Sequence, residues 1–267
     1  MSDVSRTVLI TGASAGIGRS LAEVFAANGH DLILVARRVE ALRELAASLS
    51  ERHGIRAVDI PIDLSVRRSA DELAVSVRQR DLVVDVLVNN AGVAEAGRFE
   101  HADADALHRM VMLNVAGLTQ LTRTFLPGMR ERGWGRVLNV ASVAGFQPVV
   151  GLATYAATKA YVLSLTEALA EELRGTGVSV TALCPGLTDT DMANQVTTLG
   201  PGVPEVPSLF LASPEAVARE GYQACMRGEV LRVPGVANRL GTAWSQIQPR
   251  WLVRTLGGLV GRRLLDD

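Results

Sequence analysis

Short apolar runs alternate with longer amphipathic stretches from residue 7 to residue 183. Thr7–Thr11, Asp31–Val35, Ala57–Ile62, Val84–Asn89, Arg136–Val140 and Val178–Leu183 have the length and side chains of buried strands. The intervals carry apolar residues at helical spacing. They predict helices over Ile17–Asn28 (ended by Gly29), 39–53, Arg67–Arg80, about 103–132 and Thr154–Thr176, with Pro127 kinking or ending the fourth. Strand–helix repetition with short connections predicts an α/β fold with a parallel sheet covered on both faces. Right-handed crossovers make it doubly wound and Rossmann-like. After Pro185 the pattern loosens. Gly200-Pro-Gly-Val-Pro204 and Pro207 read as a loop within one domain spanning 1–267, not as a linker to a second.

Bulk numbers narrow the class further. At 267 residues, with 48% hydrophobic and 21% charged residues, the chain suits one large α/β domain with a full core. A net charge of −1 gives no reason to expect nucleic acid or an anionic membrane as the main partner. The two cysteines, Cys184 and Cys225, have no paired spacing, and His30, His53, His101 and His108 form no metal pattern, so no metal is expected. All four histidines read as surface or capping residues. The N-terminus has no signal-peptide core and no uncharged run approaches membrane-span length, which makes a cytoplasmic protein the expectation.

Candidate chemistry begins at Thr11-Gly-Ala-Ser-Ala-Gly-Ile-Gly18, between the first strand and the first helix. Glycines at 12, 16 and 18 permit a sharp turn and close approach of backbone to a pyrophosphate, and the helix N-terminus offers free N–H groups. A tight turn with no ligand is the bland alternative. About twenty residues on, where an acid would meet a ribose 2′-hydroxyl, stand Ala36, Arg37 and Arg38. Guanidiniums suit a 2′-phosphate, so NADP(H) is favoured over NAD(H); the alternative leaves both arginines merely solvated.

Tyr155 and Lys159 lie four apart, on one face of the predicted helix over 154–176. There an ammonium can lower a phenol's pKa and make it a proton-transfer group. Ser142 precedes them at a strand end, where it can hydrogen-bond a substrate oxygen or simply cap a turn. Asn114 sits mid-helix, where asparagine calls for a local or functional reason. Tyr161 falls off the Tyr–Lys face and reads as structural.

Taken together, Thr11-Gly-x-x-x-Gly-x-Gly18, Asp63-Leu64, Asn89-Asn-Ala-Gly92, Asn114, Ser142, Tyr155-x-x-x-Lys159 and Pro185-Gly186 resemble the short-chain dehydrogenase/reductase family over nearly the first 190 residues. The resemblance implies a seven-stranded sheet and nicotinamide-dependent oxidoreduction at CH–OH or C=O groups, by a catalytic tetrad of Asn114, Ser142, Tyr155 and Lys159. Tyr155 would be the acid and base, Lys159 would also grip the nicotinamide ribose, and Asn114 would hold a water behind the lysine. It also implies a cofactor site of Gly12, Ser14, Gly16, Ile17, Gly18, Arg37, Arg38, Asp63, Leu64, Asn90, Ala91 and Gly92, continued by Tyr155, Lys159, Pro185, Gly186, Leu187 and Thr188, with Asn89 to Gly92 also steadying the sheet. In that site Asp63 would bond the adenine, and Leu187 and Thr188 would hold the carboxamide and a phosphate. Long helices of the family pair across subunits, so a homodimer or homotetramer is expected.

The substrate walls are expected at Val93–Phe99, Val143–Leu152 and a lid over about 187–211, apolar enough to favour a hydrophobic carbonyl or secondary alcohol. A C-terminal helical segment over about 238–265 carries five arginines (Arg239, Arg250, Arg254, Arg262 and Arg263). Packing on the domain or a partner subunit is favoured for it over membrane contact, because Gly257, Gly258 and Gly261 weaken a free amphipathic helix. The alternative function is a non-catalytic nucleotide-binding regulator or scaffold, which has no need of all four tetrad residues.

Overall fold

A computed structural model describes residues 6–190, 211–249, 251–255 and 258. Seven parallel strands form one sheet: β1 (Thr7–Thr11), β2 (Asp31–Ala36), β3 (Ala57–Pro61), β4 (Val86–Asn89), β5 (Gly135–Val140), β6 (Val178–Leu183) and β7 (Leu231–Arg232). Their spatial order is β3-β2-β1-β4-β5-β6-β7, with Thr7 opposite Asp31 and Val8 opposite Val86. The order reverses between β1 and β4. A doubly wound sheet opens its ligand crevice at such a switch, beyond the carboxyl ends of the strands.

The helices are α1 (Gly16–Ala27), α2 (Val39–His53), α3 (Ser69–Arg78), α4 (Ala104–Val111), α5 (Leu118–Glu131), α6 (Ala153–Glu172), α7 (Pro214–Arg227) and α8 (Val236–Ile247). Each sheet face packs on its own apolar cluster. Val8, Ile10, Leu21, Phe25 and Leu42 are buried on one side, and Leu9, Ile33, Leu73, Leu87 and Leu121 on the other. Alternation along β1 sends successive side chains to opposite clusters.

Three features depart from expectation. Pro127 neither ends nor interrupts its helix: α5 runs through it to Glu131. The irregularity lies upstream, where Met112–Gly117 forms a π-helical turn joining α4 to α5, and Asn114 sits in that turn. His30 is not a surface residue. It is buried, packs edge-on against Phe25 with centroids 5.6 Å apart, and places Nε2 3.4 Å from the Tyr222 hydroxyl. The C-terminal helical segment starts at Val236 and breaks at Gln248–Pro249 before a further helical stretch over 251–255.

Most of the expected lid, Arg250, Leu256, Gly257 and the chain from Leu259 on fall outside the described residues. The lid's two ends are described. Ala212 N donates to Leu187 O and Asp189 N to Ala212 O, both at 3.0 Å, forming a parallel bridge between Thr188 and Ala212.

Candidate active site

The phosphate-binding turn is shaped by what cannot fit beside it. Gly12 has φ +66°, and a Cβ there would lie 2.8 Å from Asn90 Nδ2. A Cβ at Gly18 would overlap the Gly12 carbonyl oxygen. Only glycine lets strand, turn and helix close this tightly, and the result is a cradle of bare backbone at the N-terminus of α1. Thr11 sets its floor: the hydroxyl donates to Val88 O (3.2 Å) and accepts from the N–H groups of Asn90 (2.9 Å) and Ala91 (3.0 Å). Asn90 returns its side-chain amide to Thr11 O at 2.8 Å. The Thr190 side chain reaches the turn from the far side, 3.1 Å from where a Gly16 Cβ would stand.

The two arginines behave differently. Arg38 is drawn onto the turn, with its guanidinium donating to Ser14 Oγ (3.3 Å) and Ser14 O (3.0 Å). Arg37 is largely exposed and leans toward Asp63, 3.9 Å away. Burial works upward on the Asp63 pKa, but hydrogen bonds from the Ser65 hydroxyl and amide, with Arg37 nearby, outweigh it and hold the carboxyl below its ordinary value. Leu64 has its side chain in the core, so any cofactor contact it makes is through its main chain.

At the other end of the crevice, β5 delivers Ser142 and α6 delivers Tyr155 and Lys159. Ser142 is extended (φ −169°, ψ 157°) and its Oγ accepts from Ala144 N at 3.1 Å, capping the 3₁₀ turn Val143–Phe146. The capping reading is therefore correct, and it does not exclude the other: the Ser142 hydroxyl also acts on the Tyr155 phenol. Burial raises the Tyr155 pKa above 10 and the Ser142 hydroxyl works against the rise. Lys159, expected to depress that pKa, has no share in this shift. The ammonium lies 5.6 Å from the Tyr155 ring centroid and donates instead to Val140 O at 2.8 Å.

Lys159 is the only lysine in the chain, against 26 arginines. It is 6% exposed, and burial, partly offset by Cys184, lowers its pKa to about 8. A guanidinium cannot be shifted that way. The one position needing a compact, titratable cation is the one position without arginine. Gly92 backs onto this group, since a Cβ there would stand 3.6 Å from Nζ.

Asn114 is held from both ends. Its Oδ1 accepts from Val93 N (3.0 Å), while Nδ2 donates to Val93 O (2.9 Å) and to Thr158 Oγ1 (3.2 Å). The side chain thus ties the π turn to the β4 loop and to the turn of α6 between Tyr155 and Lys159. Behind it runs a buried polar chain of which the sequence indicated only Asn89: its Nδ2 donates to Thr122 Oγ1 and to Asn139 Oδ1, and Asn139 Nδ2 donates to Thr166 Oγ1. Asn139, a polar residue inside an apolar strand, was the available signal.

Pro185 O accepts from Val143 N at 3.0 Å, joining the strand end of β6 to the Ser142 turn. Gly186 lies beneath Asn238 of α8, whose amide a Cβ would meet at 2.5 Å. Leu187 is exposed, while Thr188 is buried and donates to Gly186 O at 3.1 Å. All the tetrad candidates, the glycine cradle and the 185–188 segment thus converge at one crevice. Among the described residues there is no cluster of metal-ligating side chains.

The family model described as short chain dehydrogenase matches residues 6–199. Sulfoacetaldehyde reductase 2 of Chromohalobacter salexigens is 41% identical over 195 residues, covering 72% of this chain and 75% of that protein. A short-chain dehydrogenase from Sphingobium yanoikuyae solved with NADPH superposes with a TM-score of 0.80 at 32% identity, covering 96% and 94% of the two chains. A bulky-bulky ketone specific alcohol dehydrogenase from Comamonas testosteroni gives 0.76 at 31% identity, over 96% and 93%.

Proposed function

The chain belongs to the short-chain dehydrogenase/reductase family, and from that premise we propose that it transfers a hydride between NADP(H) and the carbonyl or secondary alcohol of an apolar small molecule. The observation carrying this is the meeting of Ser142 with a half-buried Tyr155, with a lone buried lysine one turn further along α6. The glycine cradle fits a dinucleotide, because a Cβ would fill the space that the backbone leaves. The turn 12–18 would hold the pyrophosphate, Arg38 and Arg37 the 2′-phosphate, Asp63 the adenine, and 90–92 with 185–188 the nicotinamide half.

When bound, the nicotinamide supplies or accepts the hydride. Reduction then needs one proton at the carbonyl oxygen, and Tyr155 Oη donates it; oxidation runs the same transfer backward. Ser142 Oγ hydrogen-bonds the same oxygen and holds it beside the phenol. Negative charge left on Tyr155 is stabilised by Lys159, which is available for this because its partner in the protein is the neutral Val140 carbonyl. Asn114 acts as a positioning residue, fixing Val93 and Thr158 around that lysine, with the water relay carried over from the family as part of the same proposal.

The wall Val143–Leu152 contains no charged residue, which supports an apolar substrate over a sulfonate or carboxylate. A homodimer or homotetramer in the cytoplasm completes the reading. NADPH consumption against ketones and aldehydes graded by chain length and polarity tests it. Turnover rising with chain length is expected. Turnover confined to small polar carbonyls removes the apolar assignment, and none with any carbonyl favours a non-catalytic nucleotide binder.

A further inference from the structure

Helix α8 is inverted with respect to water. Its inward positions are polar: Asn238, Thr242 and Ser245. They satisfy themselves locally, with Asn238 Nδ2 on Pro234 O (3.0 Å), Thr242 Oγ1 on Asn238 O (2.9 Å) and Ser245 Oγ on Thr242 O (2.9 Å). Its outward positions are Val236, Leu240, Trp244 and Ile247, between 47% and 81% exposed and spaced so that they share one face. Trp251, 62% exposed, follows directly. A solvated surface helix has the opposite arrangement.

Charge indicates what covers this face. Residues 230–265 contain six arginines and no Asp or Glu, in a chain whose net charge is −1. Arg239 and Arg254 are exposed on the described part of this stretch. Arg232 is paired with Glu220 and Glu229, but exposed Arg239 and Arg254 beside an apolar face match an anionic, apolar-backed surface. They oppose a second copy of the same face, which would bring like charges together. Tryptophans at the edge suit the headgroup boundary of a bilayer. The glycines at 257, 258 and 261 lie beyond α8 and do not weaken it. No described helix is long and apolar enough to cross a membrane, so contact through α8 would be in the plane of the interface.

We propose that the outward face of α8 is a docking surface for an anionic lipid membrane. The proposal rests on this surface and its charge, and not on the reaction. Flotation of the full chain with unilamellar vesicles tests it, using phosphatidylcholine alone against phosphatidylcholine containing phosphatidylglycerol. The chain is expected to float with the anionic vesicles, to stay behind with the neutral ones, and to be released by salt.

Leu240→Ser with Ile247→Ser, and separately Arg239→Glu with Arg254→Glu, should each lower the floated fraction about tenfold. Turnover of a water-soluble carbonyl should be unchanged in both, which shows that they fold. Wild type remaining unfloated, or the Ser pair floating like wild type, overturns the proposal. Loss of oligomer mass in the lipid-free Ser pair, with no flotation of wild type, assigns the face to a second copy. A lower melting temperature at unchanged mass, again without flotation, assigns it to residues of the same chain. Both results also overturn the proposal. Absence of turnover in wild type would count against the reaction alone and leave the flotation result standing.

Discussion

Two helices border the same crevice and are built inside out relative to each other. Helix α1 begins at the phosphate turn and buries Leu21, Ala22, Phe25 and Ala26 against the sheet and α7. Helix α8 lies over Gly186 through Asn238, buries its hydroxyls and turns its apolar side chains outward. Between these extremes stands α6, which buries Ala156, Val162 and Leu163 but also Thr158, Lys159 and Thr166. Polar groups turned inward are therefore satisfied in two ways here. In α6 they meet other elements, through Val140 O, Asn114 and Asn139. In α8 they bond their own helix and the residues at its start, and the apolar face is left outward.

The comparison can be broken at its strongest point first. Tyr155→Phe on α6 should lower kcat about 10³-fold with NADPH affinity nearly unchanged, since proton transfer by a positioned side chain is worth that order. Stopped-flow turnover beside fluorescence titration of NADPH reads both. Retained turnover would mean that α6 buries its polar face for packing alone.

Phe25→Ala on the inner face of α1 should cost about 4 kcal/mol of unfolding free energy, the usual loss for a fully buried aromatic ring, measured by urea denaturation. A loss within experimental error would remove the contrast with α8.

Lys159 gives a pH test. The unfolded chain keeps this proton to the ordinary 10.5, and the folded chain releases it near 8. Between those values the unfolded state binds more protons, so stability rises with pH; below pH 8 the penalty for burying the ammonium is fully present. Lys159→Met should therefore be the more stable protein at pH 7, with its advantage shrinking by about 3 kcal/mol as pH passes from 8 to 10.5. A constant difference across that window would show that the lysine is not desolvated. Being the only lysine, it can also be titrated directly by NMR after isotopic labelling.

Arg37→Ala with Arg38→Ala should raise the Kd for NADPH about thirtyfold and that for NADH less than about threefold, as expected for losing charge-assisted bonds to one phosphate. Equal effects would mean that the arginines do not read the 2′-phosphate. The smallest effect belongs to α8: Leu240→Ser should change lipid-free stability by no more than about 0.5 kcal/mol, because the side chain is already in water. A loss like that at Phe25 would show the outward face to be covered by the protein itself.

Much of this molecule is legible locally. Strands β1 and β6 and helix α2 fall at the positions that hydrophobic period predicts, and β2 to β5, α1, α3 and α6 lie within a few residues of theirs. The helix expected over 103–132 is instead divided by a π turn, and the segment expected over 238–265 breaks after Ile247. Period and backbone sterics act over a few residues, and so does the glycine turn, since only residues free of a Cβ permit its φ and its closeness. The same holds for Tyr155 and Lys159, whose shared helix face follows from their spacing, and for the absence of an acid at 36–38. None of these needs a distant partner to be recognised.

What depends on distant partners was decided by the tertiary structure. Val140 O accepts the lysine's hydrogen bond, burial raises the Tyr155 pKa, and Val93 claims both ends of Asn114. The asparagine chain through Asn89 and Asn139, the burial of His30 and the inversion of α8 belong to the same class. Each is set by which groups meet across the fold and how far water is excluded there. Sequence spacing determines neither. The sequence by itself therefore settled which residues could do chemistry, and the packed structure decided the hydrogen bonds, charges and exposed faces with which they stand ready to do it.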